Sequence, residues 1–143
     1  SRFRIRNQKL GMAITAIAGP LCNFLQAFLA AVIAYLIRWK GSGILCETAV
    51  SFLAMLAVLN VGLGTFNLIP VPPLDGSRLL LPLLPDRAVS VLLKYERICG
   101  VVFLALIASG ILDGSIDAVR DAVMDGILRA AWRTALFLMG GAA

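Results

Sequence analysis

The sequence predicts an all-α integral membrane protein with two or three transmembrane helices and a C-terminal amphipathic helix. Apolar residues make up 60 % of the 143 residues, whereas roughly 45–50 % is usual for a soluble domain. Charged residues account for only 15 % of the chain, and the mean hydropathy is +0.93. Because a water-soluble fold of this length could not bury so much apolar surface, we expect much of the chain to face lipid.

Two apolar runs are long enough to cross about 30 Å of hydrocarbon as helices. The first covers residues 10–37 and is closed by the basic and aromatic residues 38–40, which are typical of a membrane interface. The second covers residues 48–69. A third run, residues 98–112, is short for a span, so it forms either a tilted third span or a partly buried helix.

The last part of the chain has an amphipathic pattern. Aspartates recur every four residues on one face, at Asp113, Asp117, Asp121 and Asp125, while aliphatic residues occupy another. The acids come early and the arginines late, which suits the helix dipole. We interpret the acidic face as a solvated face at the membrane surface rather than a calcium site. Residues 1–112 are therefore predicted to form a membrane domain and residues 113–143 an amphipathic tail.

The basic residues indicate a topology rather than a nucleic-acid partner. The net charge is +5, but the basic residues flank apolar runs and do not alternate with aromatic residues. The N-terminal flank and the connector 76–97 are richer in lysine and arginine than the loop 38–47. The positive-inside rule then places Asp75, which begins that connector, near the cytoplasmic face.

Small residues form a narrow stripe along each of the two long runs. The stripes comprise Ala16, Pro20, Asn23, Ala27, Ala30 and Ala34 in the first run, and Ala57, Asn60, Gly64 and Asn67 in the second. Because small stripes let membrane helices approach closely, the two are expected to face each other with their amides inward. The asparagines then either make hydrogen bonds between the helices or line a site.

The second run ends in a segment that cannot remain helical. The prolines at 70, 72 and 73 have no N–H to donate and push the residues before them to extended geometry. The carbonyls expected to lose helical partners are those of Phe66, Leu68 and Ile69. Unwound backbone at membrane depth must be satisfied by protein or by a watery cavity. Asp75 therefore either lines a cavity that could hold a metal, an ion or water, or belongs to an ordinary turn before a helix capped near Ser77.

Two segments of the chain resemble motifs of the site-2 protease family. Residues 18–23 are similar to its A-G-P-x-x-N element, and residues 67–76 closely resemble its N-x-x-P-x-P-P-L-D-G element. Both occur in the family's order, each at the expected end of an apolar run. The resemblance covers about residues 3–112, and its second motif is long and specific.

This resemblance implies an intramembrane zinc metalloendopeptidase that cleaves membrane-embedded protein or peptide substrates, expected in a bacterial plasma membrane. In that family an upstream helix carries H-E-x-x-H, which supplies two zinc ligands and the glutamate that activates water. The aspartate of the D-G element is the third protein ligand, which implies that Asp75 binds Zn²⁺. Asn23 and Asn67 would be supporting catalytic residues that orient the substrate carbonyl or stabilise its oxyanion.

The chain contains no histidine, so it cannot carry H-E-x-x-H itself. We expect it to be the C-terminal portion of the protease, inactive alone, with the zinc site completed by two histidines from a missing upstream segment. Two alternatives stay open. One is a non-enzymatic transporter or channel-like protein, since broken helices with inward polar groups also suit solute sites. The other is a pseudoprotease that binds membrane helices without cutting them.

Overall fold

The structure, a computed structural model, describes residues 2–141, with side chains from residue 11 onwards. The described residues contain helices and turns but no strand. The helices are α1 (Arg2–Lys40), α2 (Ile44–Asn67), α3 (Asp75–Leu79), α4 (Asp86–Lys94), α5 (Glu96–Ala108) and α6 (Asp113–Leu138). The predicted all-α fold is therefore confirmed.

Two helices are long and apolar enough to cross a membrane, as the hydropathy pattern predicts. They are the Gly11–Lys40 part of α1, with 30 residues, and α2, with 24 residues. At 1.5 Å per residue these lengths are about 45 Å and 36 Å, more than the roughly 30 Å of hydrocarbon. Helix α5, with 13 residues, is only about 20 Å long and is too short by itself. A third candidate span exists if α5 and α6 count as one broken span.

Helix α6 has the amphipathic character predicted from its aspartate period. Its four aspartates are all exposed, whereas Ala131 and Ala135 are fully buried. The acidic face also holds ion pairs with neighbouring arginines, including Arg120 with Asp121 at 2.9 Å. Such exposed pairs add little stability, so the buried side of the helix is what holds it in place.

The described chain divides into two compact units. The first unit comprises the residues up to Leu21 together with Thr65–Asp117, and the second comprises Cys22–Gly64 together with the residues from Ala118 onwards. The division at residue 112 that the sequence suggests stays a prediction.

The core of the second unit consists of small side chains from α1 and α2. Ala27 and Ala30 pack against Ala57 and Val61, and all of them are at least 97 % buried. Helix α6 covers this cluster with the partly buried side chains of Val123, Met124 and Ile127. Within this unit, the prediction that the two small-residue stripes face each other is confirmed.

A glycine and an aromatic ring show how closely these helices approach. A Cβ added at Gly64 would lie 2.5 Å from the ring carbon Cε1 of Phe24, so the missing side chain is what admits the ring. Buried Asn60 lies on the same face of α2 and donates its side-chain N–H to the carbonyl of Leu56 in its own helix, at 2.9 Å. The expected hydrogen bond between helices is not made by this donor, because it is used within α2.

Candidate metal centre

Helix α2 ends at Asn67, where the proline-rich segment begins. The amide of Ile69 donates to the carbonyl of Phe66 at 3.1 Å, and the amide of Val71 donates to the carbonyl of Ile69 at 2.8 Å. The carbonyls of Phe66 and Ile69 thus lose their helical partners, as predicted, but they do not remain without hydrogen bonds. The non-proline residues between the prolines supply amides in tight turns, which replace the lost helical bonds.

The segment then turns into the short helix α3. The amide of Leu74 donates to the carbonyl of Val71 at 3.0 Å, and α3 begins at the next residue, Asp75. The Ser77 hydroxyl donates to the carbonyl of Leu74 at 2.8 Å, and Leu74 provides no side-chain cap. The helix thus starts at Asp75 itself. A cap near Ser77, as the sequence suggested, would have placed its start later in the chain.

Gly76 lies where two backbone segments meet. A Cβ on this residue would be 2.4 Å from the carbonyl oxygen of Ile69 and 2.5 Å from that of Leu68. Real Cβ atoms essentially never approach other atoms so closely, so only glycine fits here without a backbone shift. The start of α3 is therefore held directly against the end of the proline segment, and this contact positions the neighbouring Asp75.

Helix α5 packs against the same segment. A Cβ on Gly100 would lie 2.9 Å from the Cδ atom of Pro73, so α5 contacts the proline ring through its bare backbone. One turn further along, the buried ring of Phe103 meets the ring of Phe66 with centroids 5.7 Å apart and tilted planes. Ring pairs at such distances stabilise packing beyond their buried area. These contacts anchor both the end of α2 and the loop that leads to Asp75.

Asp75 lies against α1 at the Ala-Gly-Pro element. A Cβ on Gly19 would be 3.6 Å from the Oδ2 atom of Asp75, so the carboxylate is close to the helix backbone at a point that bears no side chain. The partly buried Asp75 also lines a cavity of about 420 Å³. The other lining residues are Gly11, Met12, Thr15, Ala16 and Arg78. The structure thus brings together the two sequence elements that resemble a protease.

The carboxylate of Asp75 is available to a ligand. Among residues 11–141, whose side chains the structure describes, no ion pair or hydrogen bond involves this carboxylate. The same residues contain no group of three or more His, Cys, Asp or Glu side chains that could hold a metal ion. A carboxylate oxygen is a normal zinc donor, but catalytic zinc takes three protein ligands, so this site fits one ligand of a larger set.

The two asparagines suggested by the sequence lie in different units. Asn67 is the last residue of α2 and belongs to the same unit as Asp75, whereas Asn23 belongs to the second unit. Both side chains are partly buried, and neither lines the cavity beside Asp75. Their predicted supporting roles stay predictions.

The sequence reasoning missed the N-terminal part of the cavity wall. Gly11 and Thr15 line the cavity, and the Thr15 hydroxyl donates to the carbonyl of Gly11 at 3.0 Å. Their spacing offered a signal, since Gly11, Thr15 and Gly19 follow one another at four-residue steps on one helical face. In the sequence Arg78 is one of several basic residues of the connector 76–97, although it follows Asp75 by about one helical turn.

Comparison with known proteins identifies the family. The family model for Peptidase family M50 matches residues 39–109. The chain belongs to this family. A Bacillus subtilis (strain 168) protein named "Putative zinc metalloprotease YwhC" is 30 % identical over 109 residues, which cover 74 % of this chain and 50 % of that protein. The M50 chain thus spans about half the length of this relative. No solved structure matches this chain.

Family membership confirms the resemblance to site-2 proteases that the two motifs predict. Together with the two long apolar helices, it fits a membrane location.

Proposed function

We propose that this M50 chain is the C-terminal part of a zinc-dependent intramembrane endopeptidase and that Asp75 is its third zinc ligand. The two histidines and the glutamate of an H-E-x-x-H helix then come from outside these 143 residues, because the chain has no histidine. When bound, zinc supplies a Lewis acid and an activated water for hydrolysis of a peptide bond. The substrate is a protein segment embedded in the membrane.

One observation carries the proposal: the unpaired carboxylate of Asp75, from the second family motif, lines a cavity and lies beside Gly19 of the first motif. A carboxylate in a membrane protein is costly unless it is paired or functional. Asp75 makes no ion pair among the residues whose side chains are described, and its backbone is held on one side by the contact at Gly76. On the other side the bare backbone at Gly19 leaves the oxygen accessible. A ligand held in this way is pre-organised for a metal.

Asn67 and Asn23 are proposed as supporting residues. Asn67 ends α2 immediately before the segment that carries Asp75. Asn23 follows Gly19 by four residues, which corresponds to about one turn of α1. Their side-chain amides could donate to a substrate carbonyl, whose oxygen gains negative charge during hydrolysis.

We further propose a bacterial plasma-membrane location with Asp75 near the cytoplasmic side. The support is the excess of basic residues in the connector 76–97 and in the N-terminal flank over the loop 38–47.

Replacing the carboxylate by its amide tests the metal assignment. In the intact protein purified from membranes, Asp75→Asn should lower the zinc content and should reduce cleavage of a membrane-embedded substrate by at least about a hundredfold, because a neutral amide is a poor zinc ligand. Zinc is measured by mass spectrometry of the purified protein, and cleavage by gel assay in liposomes. A chelator followed by added zinc should abolish and then restore the wild-type activity.

The matched control is Asp125→Asn on α6, which removes an exposed carboxylate outside the cavity. It should retain zinc and activity, since exposed charges of this kind contribute at most about 1 kcal/mol. Full zinc content and full cleavage in Asp75→Asn would refute the ligand role. A wild-type protein that binds zinc but cleaves nothing would be a pseudoprotease.

A further inference from the structure

The cavity beside Asp75 contains a second charged group, the guanidinium of Arg78. Both residues lie on α3, three positions apart, and both line the cavity of about 420 Å³. Residues at this helical spacing have Cβ atoms roughly 5–6 Å apart. A molecule that reaches the Asp75 carboxylate therefore also comes within reach of the Arg78 side chain.

The two charges do not neutralise each other. Among residues 11–141, whose side chains are described, Arg78 makes no ion pair, either with Asp75 or with another acid. Other arginines near acids do pair in this chain, as Arg38 does with Glu47 and Arg129 with Asp125. Arg78 is exposed and lines the cavity, so the N–H donors of its guanidinium remain available.

Among the lining residues that the structure describes, from Gly11 onwards, the others offer no competing partner for an anion. Gly11, Met12 and Ala16 carry no polar side-chain group that donates hydrogen bonds, and the Thr15 hydroxyl already donates to the carbonyl of Gly11. Arg78 is therefore the cationic group among the described lining residues, and it lies beside the carboxylate that we assign to zinc. A guanidinium presents planar paired donors that match a carboxylate in a bidentate arrangement.

We propose that Arg78 determines substrate specificity by binding a carboxylate of the substrate close to the scissile bond. This inference rests on the proposed function, because it requires the substrate to lie beside Asp75. An extended peptide advances about 3.3 Å per residue. The separation between Asp75 and Arg78 thus places the favoured Glu or Asp of the substrate about one to three residues from the cleaved bond. A lipid phosphate is the other anion that a membrane offers to Arg78. A lipid bound in the cavity would block the approach of a substrate to Asp75.

The test is a positional comparison of peptide substrates with the intact, zinc-loaded protein. Each substrate carries one Glu within four residues of the scissile bond on either side, and its partner carries Gln at the same position. At one position the wild type should cleave the Glu substrate with a kcat/KM about tenfold above the Gln substrate, as expected for one charge-assisted hydrogen-bonded pair. Arg78→Gln should reduce this ratio to about one, and Arg78→Glu should prefer Lys at that position.

The matched control is Arg87→Gln, which removes an exposed arginine of α4 that does not line the cavity. It should keep the wild-type ratio. Assays in neutral and in anionic liposomes separate the two sources of an anion. If the effect of Arg78→Gln is equal for Glu and Gln substrates and appears only with anionic lipid, the group binds lipid and the inference is wrong.

The inference and the proposed function fail in different ways. Zinc-dependent cleavage with a Glu-to-Gln ratio of one at every position in the wild type would overturn only the role of Arg78. Cleavage that survives Asp75→Asn would overturn the proposed function and this inference with it. A loss of zinc in Arg78→Gln would show that the residue acts on the metal site rather than on the substrate, which also contradicts the inference.

Discussion

A methyl group added at Gly76 should disable the proposed metal centre without changing Asp75, its proposed ligand. The new Cβ would lie 2.4 Å from the carbonyl oxygen of Ile69, about 1 Å short of an ordinary contact at 3.4 Å. Because the obstructing atoms belong to the backbone, no side-chain rotation can relieve the overlap. Overpacking of this kind costs about 1–3 kcal/mol, of which the better helix propensity of alanine offsets at most about 1 kcal/mol. The start of α3 must move, and Asp75 moves with it.

We therefore expect Gly76→Ala to lower the free energy of unfolding by about 1–2 kcal/mol. The variant should also lose about a hundredfold in kcat/KM, the loss that a 1 Å displacement can cause at a catalytic site. Unfolding is followed in detergent, and zinc affinity by competition with a chelator. Gly62→Ala is the matched control, since nothing lies within 4 Å of its added Cβ. Equal stability, zinc affinity and activity in the two variants would refute the argument that backbone contact at Gly76 positions the ligand.

Two further substitutions probe the packing around the same elements. Gly100→Ala places a Cβ 2.9 Å from the Cδ atom of Pro73, so it should weaken zinc binding in chelator competition while leaving the helical circular dichroism intact. Unaltered zinc affinity would mean that α5 does not support the ligand loop. Gly64→Ala overlaps the Phe24 ring at 2.5 Å and should destabilise the protein by about 1–3 kcal/mol relative to Gly62→Ala. That cost should shrink when Phe24 is also changed to Leu, whereas an equal cost in both backgrounds would contradict the packing described.

The sequence predicts the long helices and the two motifs that meet at Asp75 better than it predicts the hydrogen bonds of the proline-rich segment. Hydropathy finds both long spans because a membrane span requires only a long local stretch of apolar residues. The meeting of Asp75 with Gly19 could be inferred only through the family motifs, since no pattern of residues states which helix a loop will face. The loss of helical partners by the carbonyls of Phe66 and Ile69 follows from the prolines, whereas the amides that replace those partners could not be predicted. Their turn hydrogen bonds depend on dihedral choices that proline narrows but does not specify.

The cavity residues illustrate a second limit. Thr15 and Gly11 look like ordinary members of an apolar helix, and only their position opposite Asp75 makes them part of the wall. Arg78 reads from the sequence as one of several basic residues in a connector. Its significance comes from sharing a cavity with a carboxylate and not pairing with it, which is a property of three-dimensional placement.

The bare backbone of α1 at Gly19 has a practical consequence for protein engineering. At Gly76 the chain admits no extra atom. At Gly19, by contrast, an added methyl group would lie at an ordinary contact distance of 3.6 Å from the Oδ2 atom of Asp75. The two sides of Asp75 therefore tolerate added atoms very differently. A library intended to change the proposed site should leave Gly76 fixed and vary α1, where Met12 and Thr15 border the cavity.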